Sequence, residues 1–176
     1  MEQANNLGLR ALNSADAPAY RAFRLKMLAL YPAAFTTTLA EAGARDVAWY
    51  RDRIADKARP DDFILGAFDK AALCGMAGLE RFTRASDRHK ATLFGMAVDP
   101  DYQQRGVGEA LVRGLIAEAR KIDGLLQIHL EVTEGNRRAE DLYLRCGFIP
   151  YGTEPRAVIH QRLEFDKTHM VLMLDA

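Results

Sequence analysis

The sequence predicts a mixed α/β fold, one sheet of antiparallel and parallel strands flanked by helices. Three features carry that expectation. Apolar runs at 63–69 and 73–82 flank a tight turn near Asp69-Lys70 and read as an antiparallel hairpin. After Ala91 the order strand, helix, strand, helix requires a crossover between parallel neighbours. Segments at 20–30 and 108–121 repeat their apolar residues at helical spacing.

Each element follows from local chemistry. Leu7, Leu9 and Ala11 alternate with polar neighbours as a short first strand. Ser14 and Asp16 can cap the next helix, with Pro18 in its first turn, where a missing N–H is harmless. Tyr20, Phe23, Met27 and Leu30 form its apolar stripe, and Tyr31-Pro32 ends it. A polar stretch over 36–43 follows, and Val47, Tyr50 and Ile54 mark a second helix that stops before Pro60. Beyond the hairpin, 83–90 is a charged connection, and 91–98 is a third apolar run closed by Asp99-Pro100-Asp101. The helix at 108–121 buries Leu111, Val112, Leu115 and Ala119 and breaks at Gly124, and 125–133 is a strand. Residues 136–145 form a short helix ended by Gly147, a good C-terminal cap. Short strands at 148–151 and 169–174 complete the chain, with a charged loop at 153–166 between them.

Composition narrows the class of function. At 176 residues and 49% hydrophobic, the chain suits a single domain over 1–176 that needs no metal or disulfide staple. Lysine and arginine number 24 and so do aspartate and glutamate, so no global charge draws it to nucleic acid or acidic lipid. The two cysteines, Cys74 and Cys146, lack C-x-x-C spacing and suit a reducing cytoplasm. No run long and apolar enough to span a membrane is present, and 1–16 does not read as a signal peptide. His160 and His169 are isolated and lack metal-ligand spacing. The basic cluster Arg81, Arg84, Arg88, His89 and Lys90 reads as a solvated hairpin end, without the aromatic residues that would stack on bases.

The most informative string is Val98-Asp99-Pro100-Asp101-Tyr102-Gln103-Gln104-Arg105-Gly106-Val107-Gly108-Glu109. A strand ends, a loop turns and glycines open a helix, whose free N–H groups and positive dipole end suit an anion. It is neither the dinucleotide fingerprint, since position 111 is Leu111, nor a P-loop, which would end in Gly-Lys-Ser/Thr. A glycine-rich turn packing a helix on a strand is the bland alternative. A second clue lies in 127–132, where Ile128, Leu130 and Val132 share one face and Gln127, His129 and Glu131 the other. A crossover strand is normally apolar on both faces, so that polar face asks for water, a partner or a cavity.

The pattern Gln103-x-x-Gly106-x-Gly108 after Asp99-Pro100 resembles the acetyl-CoA loop of the GNAT superfamily of N-acetyltransferases. The resemblance continues through Leu130-Glu131-Val132, Asn136, Ala139, Leu142-Tyr143 and Gly147-Phe148. Residues 91–148 are especially similar to bacterial enzymes that acetylate the N-terminal alanine of a ribosomal protein. Arg24-Leu25 and Pro32-Ala33-Ala34-Phe35 are similar to the first helix region of another broad set of GNAT proteins.

The resemblance implies a centrally splayed mixed sheet, with the strands ending at Val98 and Thr133 parting to admit pantetheine. It implies Met96, Ala97 and Val98 as pantetheine contacts through main chain, while their side chains pack. Gln103, at the start of the loop, would contact the coenzyme, and Gln104, Arg105, Gly106, Val107, Gly108 and Glu109 would hold the pyrophosphate, with Asn136 touching the coenzyme from the next helix. The amide near Val98 would polarise the thioester carbonyl. Tyr143 would bind near the leaving thiolate and protonate it as general acid; an amphipathic tyrosine covering the core is the alternative. Acetylation needs an amine free of its proton, and Glu131 is the first base candidate, directly or through water, ahead of Glu80 and His129. A covalent route through Cys146 lacks an activating base. The expected reaction is direct attack of a primary amine, of a small molecule or a peptide, on acetyl-CoA without a metal. The rival readings are a non-catalytic acetyl-CoA-binding regulatory module and an enzyme for longer acyl groups. The segments at 36–59 and 153–166 are where an acceptor would be selected, and a homodimer is expected by resemblance.

Overall fold

The computed structural model describes residues 7–54 and 59–174. Its strands are β1 (Leu7–Ala11), β2 (Phe63–Asp69), β3 (Ala72–Arg81), β4 (Lys90–Val98), β5 (Gln127–Thr133), β6 (Ile149–His160) and β7 (Leu163–Met173). They form one sheet in the order β1-β2-β3-β4-β5-β7-β6. Only β4 and β5 run parallel, joined by the crossover helix α4 (Val107–Ala119); all other neighbours are antiparallel. The remaining helices are α1 (Ala17–Leu30), α2 (Leu39–Gly43), α3 (Val47–Ile54) and α5 (Arg137–Arg145). The helix expected to run on toward Pro60 passes into residues 55–58, which lie outside the described residues.

Helices cover both faces of the sheet, which explains its unbroken apolar centre. β2 and β3 bury five and six successive residues, as strands covered on both sides must. On one face Leu65, Ala77, Leu79 and Leu93 pack against Leu111, Val112, Leu115 and Ile116 of α4. On the other, Ile64, Phe68 and Met76 pack with Tyr20, Phe23 and Met27 of α1 and Tyr50 of α3. The aromatic rings of Tyr20 and Tyr50 meet edge to face, with centroids 5.0 Å apart.

The entry to α1 is capped one residue earlier than expected. The Asn13 side chain accepts from the Ala15 N–H, and the Asp16 carboxylate accepts from the Asn13 N–H, around a single 3₁₀ turn that precedes the helix. The polar stretch over 36–43 contains α2, started by a reciprocal Thr38–Glu41 cap.

The largest correction concerns the C-terminal part. The charged loop expected at 153–166 is instead most of a long antiparallel ribbon, because β6 and β7 run 12 and 11 residues. Gln161 and Arg162 both have positive φ, 50° and 67°, the handedness that suits a two-residue hairpin turn to strand twist. No glycine or asparagine announces it. The ribbon's outer strand is almost wholly exposed, so it shows no buried-exposed alternation to read.

Among the described residues no helix is long and apolar enough to cross a membrane. Leu111 is fully buried where α4 meets the sheet. Leu111→Ala should therefore destabilise the protein by about 2–5 kcal/mol, read as a lower urea midpoint with an unchanged slope. A loss below about 1 kcal/mol would contradict the packing of α4 described above.

Candidate active site

The parallel pairing of β4 with β5 covers only Lys90–Gln127, Ala91–Ile128 and Thr92–His129. Both strands continue, β4 to Val98 and β5 to Thr133, but without each other. The cause lies in β4. Opposite β3 its register slips between the Gly78–Phe94 and Met76–Ala97 pairs, so Gly95 and Met96 together face Ala77. Gly95 takes φ +62°, a conformation that strains any side-chain-bearing residue. Such a bulge bends its strand, and the bend leaves main-chain groups of 95–98 facing a gap rather than a ladder.

The gap opens into a cavity of about 1090 Å³, large for a small-molecule site. Met96, Ala97 and Val98 line one wall, Glu131, Val132 and Thr133 the other. At its mouth stands the N-terminus of α4. Gly106 caps that helix in the left-handed region, φ +80°, and open space surrounds the position where a Cβ would project. No side chain caps the helix, so the first-turn N–H groups remain available to an anion.

The loop before α4 is pinned on three sides by one residue. Gln103 donates to the Val98 carbonyl and to the Tyr31 hydroxyl, both at 3.1 Å, and its Oε1 accepts from Arg138 at 2.6 Å. The end of β4, the end of α1 and the start of α5 are thereby tied to the anion loop. Gln104, Gly106, Val107, Gly108 and Glu109 all line the cavity. Arg105 is the exception among the predicted coenzyme residues: its guanidinium lies 5.3 Å from the Tyr102 ring centroid, away from the cavity wall. Asn136 lines the cavity while its side chain accepts from the Ala139 N–H and starts α5.

Tyr143 reaches the cavity from α5, only 6% exposed and edge-on to Phe148. Burial pushes its phenol well above the usual tyrosine range, so at neutral pH the ring keeps its proton. Cys146 is buried, its thiol also pushed up by desolvation, and it does not line the cavity.

The three base candidates separate. Glu131 lies on the cavity wall and accepts from Lys167 Nζ at 2.6 Å. Lys167, 9% exposed, also donates to the Thr36 hydroxyl at 2.9 Å, so the loop after α1 is bridged to β5 and β7. His169, isolated in the sequence, stands directly across from Glu131 on β7 and pairs with Glu154. Glu80 also lines the cavity but is held by Arg53 at 2.9 Å and Arg59 at 3.0 Å. Burial pushes the Glu80 carboxyl up, and the two guanidinium groups more than offset it, leaving it below the ordinary range. His129 does not line the cavity; its ring nitrogens face Gln127 and the Tyr151 hydroxyl, and burial lowers its pKa.

Lys167, Arg138 and Arg24 line the cavity without having been singled out as site residues from the sequence. Lys167 sits beside a stretch that reads as a charged loop, and Arg138 is one of two adjacent arginines at a helix start, so neither carries a local signal. The basic cluster at the β3–β4 connection lies apart from the cavity. Arg81 there is structural, held by Asp61 at 2.6 Å and by the Arg88 and Asp123 carbonyls.

The sequence pattern of the acetyltransferase (GNAT) family matches residues 24–148. The ribosomal protein bS18-alanine N-acetyltransferase of Escherichia coli K12 is 49% identical over 59 residues, 34% of this chain and 39% of that enzyme. The match thus spans about two-fifths of the relative's length. A GNAT-family acetyltransferase from Streptococcus pneumoniae superposes with a TM-score of 0.84 at 22% identity, over 96% of this chain and 99% of its own. A Sinorhizobium meliloti phosphinothricin acetyltransferase, solved in complex with acetyl-CoA, gives 0.78 at 18% identity, over 96% and 89%. At such identities these two structures establish the fold.

The Glu80 ion pairs make a pH prediction. A carboxyl with a depressed folded-state pKa stabilises the fold above the ordinary carboxylate range near ~4.3, and that contribution is lost as pH falls through the depressed value. Glu80→Gln should therefore melt below wild type at pH 7, with the two melting points converging as pH falls through and below the ordinary carboxylate range. An unchanging gap across that range would contradict the assignment.

Proposed function

We propose that this chain, which belongs to the acetyltransferase (GNAT) family, transfers the acetyl group of acetyl-CoA to an amine by direct attack. The observation that carries the reading is the parting of β4 and β5 beside an uncapped helix N-terminus. Main-chain groups of 96–98 suit an extended, amide-bearing chain, and the first turn of α4 suits its pyrophosphate. Gln104, Gly106, Val107, Gly108 and Glu109 hold the phosphate end, Met96, Ala97 and Val98 the pantetheine, and Asn136 touches the coenzyme from α5. The acetyl-CoA complex of the Sinorhizobium enzyme, which shares the fold, supports the same co-substrate. Residues 1–176 act as one N-acetyltransferase domain.

Acetyl-CoA supplies an acetyl group activated as a thioester. The chain's own residues orient the amine against it and move two protons. Glu131, on the cavity wall and held on one oxygen by Lys167, receives the acceptor's proton through a water, since Glu80 is shared by two guanidinium groups and His129 faces elsewhere. The amine nitrogen forms the new N–C bond, the C–S bond breaks, and the sulfur takes the Tyr143 proton. A phenol whose pKa is raised by burial stays loaded with that proton at neutral pH. The amide near Val98 polarises the thioester carbonyl. Neither cysteine suits a covalent route: Cys146 is off the cavity, and the Cys74 thiol is buried against the Ala67 carbonyl. The acceptor is a primary amine, of a small molecule or of a peptide; the bS18-alanine enzyme's name supports the latter.

Calorimetry with acetyl-CoA tests the reading. Wild type should bind in the micromolar range, and Gly106→Trp should weaken binding about tenfold or more by filling the space before α4. Tyr143→Phe should lower kcat by about 100-fold or more for whichever amine is turned over. Absence of acetyl-CoA binding by the folded wild-type protein would sink the proposal.

A further inference from the structure

The end of the cavity away from the anion loop holds one cation whose charge no described side chain balances. Arg24 projects from α1 and lines the cavity, its guanidinium 4.5 Å from the Phe35 ring centroid. Its Nη1 is buried and has no hydrogen-bond partner among the described residues. The same nitrogen is 3.7 Å from where a Cβ on Gly95 would lie, beside the bulge that opens the sheet. The neighbouring charges are already matched. Glu80 is shared by Arg53 and Arg59, and Glu131 is paired with Lys167. Burial pulls the Arg24 pKa down, as expected for a guanidinium short of both water and a counter-charge.

A guanidinium held away from water without a counter-charge destabilises the fold unless a ligand supplies one. A guanidinium is a planar fork of donors whose matching partner is a carboxylate or another oxyanion. We propose that Arg24 binds a carboxylate of the acceptor, so that the acceptor class is a small amino-carboxylic acid and not a peptide amino terminus. The proposal rests on the acetyltransferase reading above. Position supports a short link between the two groups: Arg24 stands beside Gly95, and the next three residues are those assigned to the pantetheine. In a free amino acid the carbon bearing the amine also bears a carboxylate. In a peptide that carboxylate is replaced by a neutral amide, which leaves the cation unmatched.

The test compares charged and neutral partners of one amine. The twenty L-α-amino acids, their carboxamides and an alanine-initiated hexapeptide are each offered with acetyl-CoA, and coenzyme A release is followed. At least one free acid should be acetylated with kcat/KM about 30-fold above its carboxamide, mostly through KM. Arg24→Gln should reduce that ratio below about threefold, and Arg24→Lys should leave it intermediate because the charge remains but the fork is lost. The wild-type comparison needs no variant to fold. Equal rates for acid and carboxamide, an undiminished preference in folded Arg24→Gln, acetylation of the hexapeptide alone, or no acceptor at all would each overturn the proposal. Calorimetry with acetyl-CoA separates the two levels: binding intact overturns only the role of Arg24, and binding absent overturns the acetyltransferase reading itself.

Discussion

The bulge at Gly95 and Met96 is the constraint on which the rest of the structure depends. A parallel strand in the middle of a covered sheet should be hydrogen-bonded along its length, because unpaired backbone groups there are costly. Here the ladder between β4 and β5 stops after three residue pairs, and the two strands go on without each other. The positive φ of Gly95 sets the bend, and the second hydrophobic layer under α1 and α3 keeps the bent half of β4 from collapsing. The fold leaves the β5-facing edge of β4 beyond Thr92 without a strand partner, an edge that a ligand with an extended amide chain can use.

Everything else near the cavity holds that opening in place. Gln103 ties the anion loop to β4, α1 and α5. Asp99, buried at the end of β4, caps the turn that follows and pairs with Lys26 of α1. Lys167 joins the loop after α1 to β5. Each tie joins an element of the parallel half of the sheet to a segment that starts elsewhere in the chain. A site built from such contacts is preorganised, its lining residues held in place before any ligand arrives.

Against this pattern, Arg24 departs furthest: Arg138, also on the cavity and without a carboxylate, meets the Gln103 amide oxygen, whereas the Arg24 Nη1 meets no described acceptor. Arg53, Arg59, Arg81 and Lys167 all meet carboxylates, and those contacts read as architecture. A partly buried guanidinium facing a cavity and lacking such a partner is the kind of group that binding, rather than folding, satisfies.

The sequence by itself determined the mixed sheet with flanking helices and the place of the glycine-bearing turn that opens α4, because both rest on local chemistry. Helical or strand periodicity, Pro32 after α1 and the glycines Gly106 and Gly108 at the opening of α4 act within a few residues and survive without tertiary context. The polar face of Gln127, His129 and Glu131 was visible for the same reason. Tertiary structure alone decided how that face is used: Glu131 turns to the cavity and Lys167, while His129 turns to Tyr151. It also decided the long β6–β7 ribbon, whose exposed outer strand leaves no pattern of burial in the chain. Arg24, Lys167 and Arg138 converge from α1, β7 and α5, up to 143 positions apart in the numbering (167 against 24), on one cavity. Ion pairing and its absence are properties of space rather than of sequence neighbours, so only the folded chain distinguishes a lysine held by a carboxylate from an arginine left without one.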